Sequence, residues 1–447
     1  MHFYDRQKEL DSMRRTREIA FNETSQMTVV TGRRRIGKTK LILKSCEGTP
    51  TVYLFVSRNS ETTLCRQFSQ TLAQELQTFV PQGITSFRDF FQLCMQVGKS
   101  KAFNLVIDEF QEFMRVNPAI FSDMQHIWDI NKDDAHVNLI VSGSVYSLMH
   151  HIFQNYQEPL YGRATSILRV KPFSPSVLKQ IISDYSPQYT SDDLLALYAF
   201  TGGVPKYVEL LMDRGAFTVN DMIDDMIDEN SLFIEEGNIL LIQEFGKNYG
   251  NYYSILSSIA GGVNEPPRIA SLTGLDSLGG SLQRLEVDYD LIEKVQPVGA
   301  KPGSHTLRYR LKDHFLRFWF RFVEKNQSLV QSGKFDLLRQ LVKRNYADYS
   351  GHELEDYFRD KISETEPVEI VGGWWKSSRG NPHEKDNQHE IDIVAVYYGQ
   401  KKVLLAEVKR NRQNFKLEKF NEKVALIRTK LFQNYDIQTC CLSLEDM

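Results

Sequence analysis

The eight residues Gly32-Arg33-Arg34-Arg35-Ile36-Gly37-Lys38-Thr39 have the types and spacing of a phosphate grip, G-x-x-x-x-G-K-[ST]. The glycines let backbone N–H groups wrap a phosphate without side-chain interference, and a helix opening at the loop adds its positive end. Lys38 then reaches the β- and γ-phosphates of ATP, and the Thr39 hydroxyl ligates Mg2+. The plain alternative is a chance Gly-rich turn, but an apolar run at 27–31 precedes the loop and a helical pattern follows it. About seventy residues on, Phe103-Asn104-Leu105-Val106-Ile107-Asp108-Glu109 reads as an apolar strand ending in two carboxylates. Asp108 is placed to hold the Mg2+ shell beside Thr39, and Glu109 to polarise a water for in-line attack on the γ-phosphate.

Two further positions carry weaker signals. The strand Leu139–Ser144 ends in small hydroxyls, where a γ-phosphate sensor sits; a turn rich in small residues explains it equally well. Arg163, in Leu160-Tyr161-Gly162-Arg163, can supply positive charge to a transition state, or it is a surface arginine.

A second chemistry-bearing group lies near the C-terminus. Glu390-Ile391-Asp392-Ile393-Val394-Ala395 and Leu405-Ala406-Glu407-Val408-Lys409 read as adjacent strands, and the period of two puts Glu407 and Lys409 on one face. If the strands pair, Asp392, Glu407 and Lys409 converge. Two carboxylates and a lysine can bind Mg2+ and orient a water for phosphodiester hydrolysis. Glu355, in an upstream helix, is a further acid. Two amphipathic strands with solvated charges are the alternative. His352, His383 and His389 read as surface histidines rather than ligands.

Elements must hold these groups in place. Apolar runs at 27–31, 51–56, 103–108 and 138–143 alternate with helical stretches, which implies βαβ units and a parallel sheet covered on both faces. This α/β, P-loop-type domain extends to about residue 170. Lys171-Pro172-Phe173-Ser174-Pro175 breaks the pattern, and 171–235 reads as a small helical domain that includes an amphipathic helix at Asp192–Phe200. Residues 236–325 give three helices (252–259, 268–272, 277–285) and two strands (291–295, 307–311), the layout of a winged helix–turn–helix. Residues 326–335 are polar enough for a linker. From 335 to 447 the order is helix (about 345–362), three strands (367–375, 390–397, 402–408), helix (414–431) and strand (437–443).

Together, Gly-Arg-Arg-Arg-Ile-Gly-Lys-Thr, Val-Ile-Asp-Glu-Phe-Gln (106–111), Val-Ser-Gly-Ser (141–144), Tyr-Gly-Arg (161–163) and Thr-Gly-Gly-Val-Pro-Lys-Tyr (201–207) resemble the archaeal-type ATPases, AAA+-like P-loop proteins related to the signal-transduction ATPases. The opening Phe3-Tyr4-Asp5-Arg6-Gln7-Lys8-Glu9-Leu10 is similar to their N-terminal motif. The resemblance covers residues 1–325. It implies that Arg6 and Pro205 flank the nucleotide, that Ser144 is the sensor, and that Arg163 contacts the γ-phosphate in cis or from a neighbour. The α-β-β-β-α-β order with Asp-x(14)-Glu-x-Lys resembles the PD-(D/E)xK nuclease fold. A nuclease-like domain of unknown function commonly ends such ATPases, and Gly-Gly-Trp-Trp (372–375) is similar to it. That resemblance carries Asp392, Glu407 and Lys409 over as site residues, with Glu355 beside them.

Composition narrows the partners. With 54 basic and 57 acidic side chains among 447 residues, no whole-molecule positive field gathers nucleic acid. The recognition stretch of the expected winged helix, 275–286, has Arg284 against Asp276 and Glu286, the wrong charge for a duplex. Arg308, Arg310, Arg317 and Arg321 are a fallback basic surface, although Phe315, Phe318, Trp319, Phe320 and Phe322 among them mark a core helix. The 5 cysteines form no ligand pattern, and no apolar run approaches a membrane span of roughly 20 residues. The expectation is a cytoplasmic ATPase that uses ATP and Mg2+. Its further partners are DNA or RNA, or a protein such as a second copy of itself.

Overall fold

Parallel strands cannot be joined by tight turns; each needs a crossover, usually a helix. The computed structural model describes residues 1–246, 250–275, 277–301, 307–375 and 390–447, so Asp276, His383 and His389 lie outside the described residues. Contacts divide the chain into two compact units, residues 5–171 and residues 1–4 with 172–447.

Residues 5–171 run α1 (Gln7–Asn22), β1 (Gln26–Thr31), α2 (Lys38–Cys46), β2 (Thr51–Phe55), α3 (Glu61–Leu76), α4 (Phe87–Gly98), β3 (Phe103–Asp108), α5 (Phe113–Val116), α6 (Ala119–Asn131), β4 (Val137–Ser142), α7 (Tyr146–Gln154) and β5 (Ser166–Arg169). The five strands are all parallel, in the order β2-β3-β4-β1-β5. Every residue of β3 and β4 is buried. Two of their polar members, Asn104 and Asn138, sit in register and hydrogen-bond each other at 2.9 Å. Because the strands share one direction, Thr31, Asp108 and Ser142 reach the same edge of the sheet, the carboxyl edge at which α/β proteins bind ligands. Rings of Phe68, Phe87, Phe90, Phe110 and Phe113 pack the helices of this unit into one core, with Phe87 and Phe113 at 4.5 Å. Strand β5 was not expected. Its residues alternate between half-buried and exposed, so no buried apolar run announces it, and pairing with β1 is what makes it a strand.

The second unit begins with α8 (Pro175–Tyr185), α9 (Ser191–Thr201), α10 (Pro205–Asp213), α11 (Val219–Met226) and α12 (Leu232–Phe245). Helix α9 opens on a reciprocal capping box between Thr190 and Asp193. It is not the amphipathic helix expected: every residue from Asp193 to Thr201 is buried, because α8, α11, α16 and α18 surround it. Next come α13 (Gly250–Ala260), α14 (Pro266–Thr273), α15 (Gly279–Gln283) and an antiparallel ribbon of β6 (Ile292–Val295) and β7 (Arg308–Leu311). Phe315, Phe318, Trp319, Phe320 and Phe322, in and after α16 (His314–Phe318), are all buried.

The expected linker at 326–335 is instead largely helical. It holds α17 (Gln327–Gln331) and the first residue of α18 (Phe335–Thr365), which starts about ten residues earlier than its sequence pattern indicated. Leu338, Val342, Tyr346 and Tyr349 are buried at helical spacing, and that packing outweighs the local polarity. A four-stranded sheet follows, β8 (Val368–Trp375), β9 (Glu390–Tyr397), β10 (Lys402–Val408) and β11 (Asp436–Leu442), in the order β11-β10-β9-β8. The first three strands are antiparallel neighbours, and α19 (Leu417–Lys430) carries the chain across to β11, which is parallel to β10.

Gly203, in Thr-Gly-Gly-Val-Pro, holds φ at +71°, and an added Cβ would lie 2.2 Å from the Phe173 carbonyl oxygen. The Phe173 N–H donates to the Gly203 carbonyl at 2.8 Å, so the two backbones cannot separate freely. Gly203→Ala is expected to lower unfolding free energy by about 3 kcal/mol, from left-handed strain plus overpacking. Gly215→Ala, at φ +75° with open space around it, should cost only the strain, about 1 kcal/mol. Urea unfolding of the two variants measures both; equal losses would contradict the clash.

Candidate functional site

The loop from Gly32 to Gly37 is shaped by its backbone. Gly32 has φ +144°, and a Cβ there would sit 2.7 Å from the Val170 carbonyl oxygen. Arg35 and Gly37 are also left-handed, at +67° and +88°. Interrupting right-handed backbone in this way turns successive N–H groups toward one point and makes an anion nest. Buried Ile36 anchors the loop, while the side chains of Arg33, Arg34 and Arg35 are half-buried. Helix α2 begins at Lys38, so its N-terminus faces the same place. The Lys38 Nζ donates to the carbonyls of Gly32 (2.8 Å) and Arg33 (3.0 Å), folded back along the loop that it would serve.

Asp108, at the end of β3, is gripped from several directions. The Thr39 hydroxyl donates to its Oδ2 at 2.9 Å, and the Tyr53 hydroxyl to the same oxygen at 2.6 Å. Ser142 and the Glu109 N–H (3.0 Å) donate to Oδ1. Burial, reinforced by the Asp108 hydrogen bond, pushes the Tyr53 phenol well up, so it stays a donor. A hydroxyl and a carboxylate this close are hard oxygen donors of the kind Mg2+ prefers, so Thr39 and Asp108 fit that ion. Glu109 has φ +54°, which swings its side chain out of the strand's alternation. Its Oε2 accepts from Ser144 (2.7 Å) and from Gln111. Ser144 is therefore at the site, but its hydroxyl holds Glu109. Gly143 has to be glycine here, since a Cβ would come within 2.3 Å of Gln111 Oε1.

The remaining expected residues have partners or places of their own. Arg163 donates to Asp129 at 3.1 Å and to the Tyr161 carbonyl at 2.8 Å. Arg6 is buried at the N-cap of α1 with φ +79° and pairs with Glu9 at 3.3 Å. Pro205 is the first residue of α10, in the other unit.

In residues 172–447, the pairing of β9 with β10 gathers the C-terminal group. The Val408 N–H donates to Asp392 Oδ2 at 2.7 Å, and Lys409 Nζ lies 3.6 Å from the same oxygen and 3.1 Å from Glu407. Lys423, on α19, reaches both Glu407 oxygens at 3.0 Å. Burial, then the charges of Glu355 and Glu407, push the Asp392 carboxyl up to about 7 despite Lys409. Burial works against the Lys409 ammonium, yet Asp392 and Glu407 hold it above its ordinary range. Carboxylates crowded until one prefers a proton are a donor set that a divalent cation would relieve, so Asp392 and Glu407 fit Mg2+ in chemistry.

Among the described residues, the one group of three possible ligands with all donor atoms within 4.8 Å lies elsewhere: His314, Glu353 and Asp356. Arginines already occupy it. Arg317 pairs with Glu353 (3.2 Å) and Asp356 (2.6 Å), Arg359 with Asp356 (2.7 Å), Arg310 with Asp356, and His314 with Glu353. Against the cost of burial, these cations hold the Asp356 and Glu353 carboxyls below their usual range. This is a buried ion network, and helix α9 joins it: Tyr198 donates to Asp360 at 2.7 Å and its ring meets His314 at 4.6 Å. Arg410, next to Lys409, ties Asp192 of α9 (2.8 Å) to Ser350 of α18 (2.6 Å). Three arginines of the fallback basic surface are spent on acids as well, with Arg308 on Glu390 (3.2 Å) and over the Trp375 ring, Arg310 on Glu293 and Asp356, and Arg317 on Glu353 and Asp356.

Sequence reasoning missed Tyr53, Ser142, Gln111, Lys423 and Arg359. Arg359 had a legible signal, four residues after Glu355 on one helix face. Ser142 closes the same apolar strand as Ser144. Nothing local marks Tyr53 or Lys423, which meet their acids only through sheet pairing and the α19 crossover.

Residues 3–211 match an ATPase domain found predominantly in Archaea, and residues 319–421 match archaeal and bacterial proteins of unknown function. An uncharacterized protein of Methanocaldococcus jannaschii is 29% identical over 417 residues, 91% of this chain and 87% of the relative. A Walker-type ATPase of Pyrococcus abyssi, 18% identical, superposes with a TM-score of 0.54 over 71% of this chain and 96% of that one. The Aeropyrum pernix ORC2 protein in its ADPNP–ADP complexes is similar over 74% of this chain and 96% of its own, at 13% identity and a TM-score of 0.48. The N-terminal part thus matches an ATPase domain in sequence and shares the fold of a Walker-type ATPase. No described helix is long and apolar enough to cross a membrane.

The position of the Asp392 carboxyl has a measurable consequence. Unfolded, it titrates near 3.9; folded, it is pushed up to about 7. Between those values the folded chain holds the extra proton, so this residue's contribution to stability falls as pH rises from about 4 to 7 and stays low above. Asp392→Asn is expected to stabilise the protein at pH 8 by roughly 2–4 kcal/mol and to be nearly neutral at pH 4. Urea unfolding at the two pH values measures it; a variant less stable at pH 8 would overturn the assignment.

Proposed function

We propose that this chain is a cytoplasmic, Mg2+-dependent ATPase whose nucleotide state controls a nuclease-like C-terminal module that acts on DNA or RNA. The observation that carries the first half is Asp108 joined to Thr39 beside the left-handed loop Gly32–Gly37. In this reading the N–H groups of the loop and Lys38 hold the ATP phosphates, while Thr39 and Asp108 hold Mg2+, which neutralises charge on the phosphates. Glu109 directs water at the γ-phosphate once Ser144 and Gln111 release it, and Arg163 stabilises the transition state in cis or from a neighbouring copy. Arg6 and Pro205 flank the nucleotide, as in the archaeal-type ATPases. Loss of the γ-phosphate changes the state of the helical lid that contains α9. Residues 171–235 are that lid, 236–325 a winged helix and 335–447 a PD-(D/E)xK-like module.

The second half is supported by the convergence of Asp392, Glu407 and Lys409, with Glu355 nearby. There, Asp392 and Glu407 would hold Mg2+, which activates water for phosphodiester hydrolysis, and Lys409 would orient that water. Helix α9 supplies a route of control, since its Asp192 binds Arg410 beside Lys409 and its Tyr198 binds Asp360 of α18.

One observation favours a second reading, a nucleotide-dependent switch whose C-terminal module binds a partner without cutting. Two lysines, Lys409 and Lys423, already neutralise Glu407. DNA reading by the β6–β7 ribbon is disfavoured, because Arg308 and Arg310 are spent on internal acids.

Lys38→Ala is expected to weaken ATP binding by roughly 10- to 100-fold, the loss of a charge-assisted phosphate contact, as read by calorimetry with MgATP. Unchanged affinity would remove the ATPase reading. Purified protein with Mg2+ or Mn2+ and ATP should nick DNA or RNA, and Asp392→Ala should abolish it. If wild type and Asp392→Ala are equally inert on both nucleic acids, the switch reading stands in its place.

A further inference from the structure

We propose that Arg359 is the positioning residue of the C-terminal acid site, a fork that fixes Glu355 of α18 against Asp392 of β9 so that acids from two separate elements can share one divalent cation. This inference rests on reading that site as cation-binding and adds the residue that sets its spacing.

The guanidinium of Arg359 divides its donors among three acceptors. Its Nη2 donates to Glu355 Oε2 at 2.8 Å and to the Asp392 backbone carbonyl at 2.7 Å. Its Nε donates to the same carbonyl at 3.2 Å, and its Nη1 to Asp356 Oδ1 at 2.7 Å. The helix and the strand meet at this one planar group. Had Arg359 served only to neutralise a buried charge, Asp356 would have been partner enough, yet the remaining donors go to the side chain of one candidate ligand and the main chain of another. Asp392 is thereby fixed at both ends, its carbonyl by Arg359 and its carboxylate by the Val408 N–H.

Arginine is the residue for this task because its donors lie in one rigid plane and can serve two acceptors at fixed separation. A lysine keeps the charge, but it is a point donor on a flexible stem. A methionine fills the volume and holds neither acid. Residues that orient ligands without touching the metal typically change affinity by about 10- to 100-fold when lost.

The test is Mn2+ binding to the full chain without nucleotide, followed by electron paramagnetic resonance, which counts free Mn2+ and records the spectrum of the bound ion. Asp392→Ala in parallel identifies the part of the binding that belongs to this site. Arg359→Met is expected to weaken that part at least about tenfold and to alter the bound-ion spectrum, with Arg359→Lys falling between Met and wild type. Wild-type affinity and spectrum in Arg359→Met would overturn the proposal. If Arg359→Met does not fold, as judged by circular dichroism, Arg359→Lys decides: a loss of about threefold or more supports the fork, and wild-type binding overturns it. Wild-type protein with no Asp392-dependent Mn2+ binding is a different failure, that of the cation-site reading itself.

Discussion

The carboxylate of Asp108 is the interaction on which the ATPase unit turns. It takes hydrogen bonds from α2 through Thr39, from β2 through Tyr53, from β4 through Ser142, and from its own chain through the Glu109 N–H. A carboxylate at a sheet's edge is easily left to water, where it is mobile and screened. Here four donors hold it in a fixed attitude, so its oxygens would need little reorganisation to meet a cation. The parallel sheet is what makes this possible, because only strands running the same way deliver Thr31, Asp108 and Ser142 to one edge. The strained residues follow from the same constraint. Gly32 has no room for a side chain against Val170, and Glu109 is left-handed where the strand must let go of its alternation.

Residues 172–447 depend on a different kind of interaction, a buried network of like and unlike charges. Burying Glu353 and Asp356 without partners would cost several kcal/mol each. Arg310 of β7, His314 and Arg317 of α16, and Arg359 of α18 itself offset that cost. Such a network adds little net stability compared with apolar packing, but it tolerates only one arrangement of β7, α16 and α18. Helix α9, buried on every side, is bound into it by Tyr198, while Arg410 fastens the N-terminal end of α9 beside Lys409. A displacement of α9 thus has hydrogen-bonded routes to the acids of β9 and β10.

The two sites handle negative charge in opposite ways. Asp108 is surrounded by neutral donors that leave its charge available to a metal. At the C-terminal site the acids face one another and two lysines, and Asp392 responds by holding its proton toward neutral pH. A divalent cation at the second site must displace that proton or draw Glu407 away from Lys423.

Local sequence determined a good deal. The loop Gly32–Thr39, the strand ending in Asp108 and the alternation that joins Asp392 to Glu407 are patterns of consecutive residues, fixed by backbone geometry and the period of two. The two-stranded ribbon, the long helix and the four C-terminal strands were legible for the same reason. Tertiary structure decided what depends on residues far apart in the chain. Strand β5 exists because β1 offers it an edge, the polar stretch at 326–335 is largely helical because Leu338 and Val342 of α18 are buried beyond it, and α9 loses its solvent face to its neighbours. Tyr53 on Asp108, Lys423 on Glu407 and the β7 arginines turned onto internal acids belong to the same class. A charged or hydroxyl side chain takes whichever partner the fold brings within about 3 Å, and no local pattern records who that partner is.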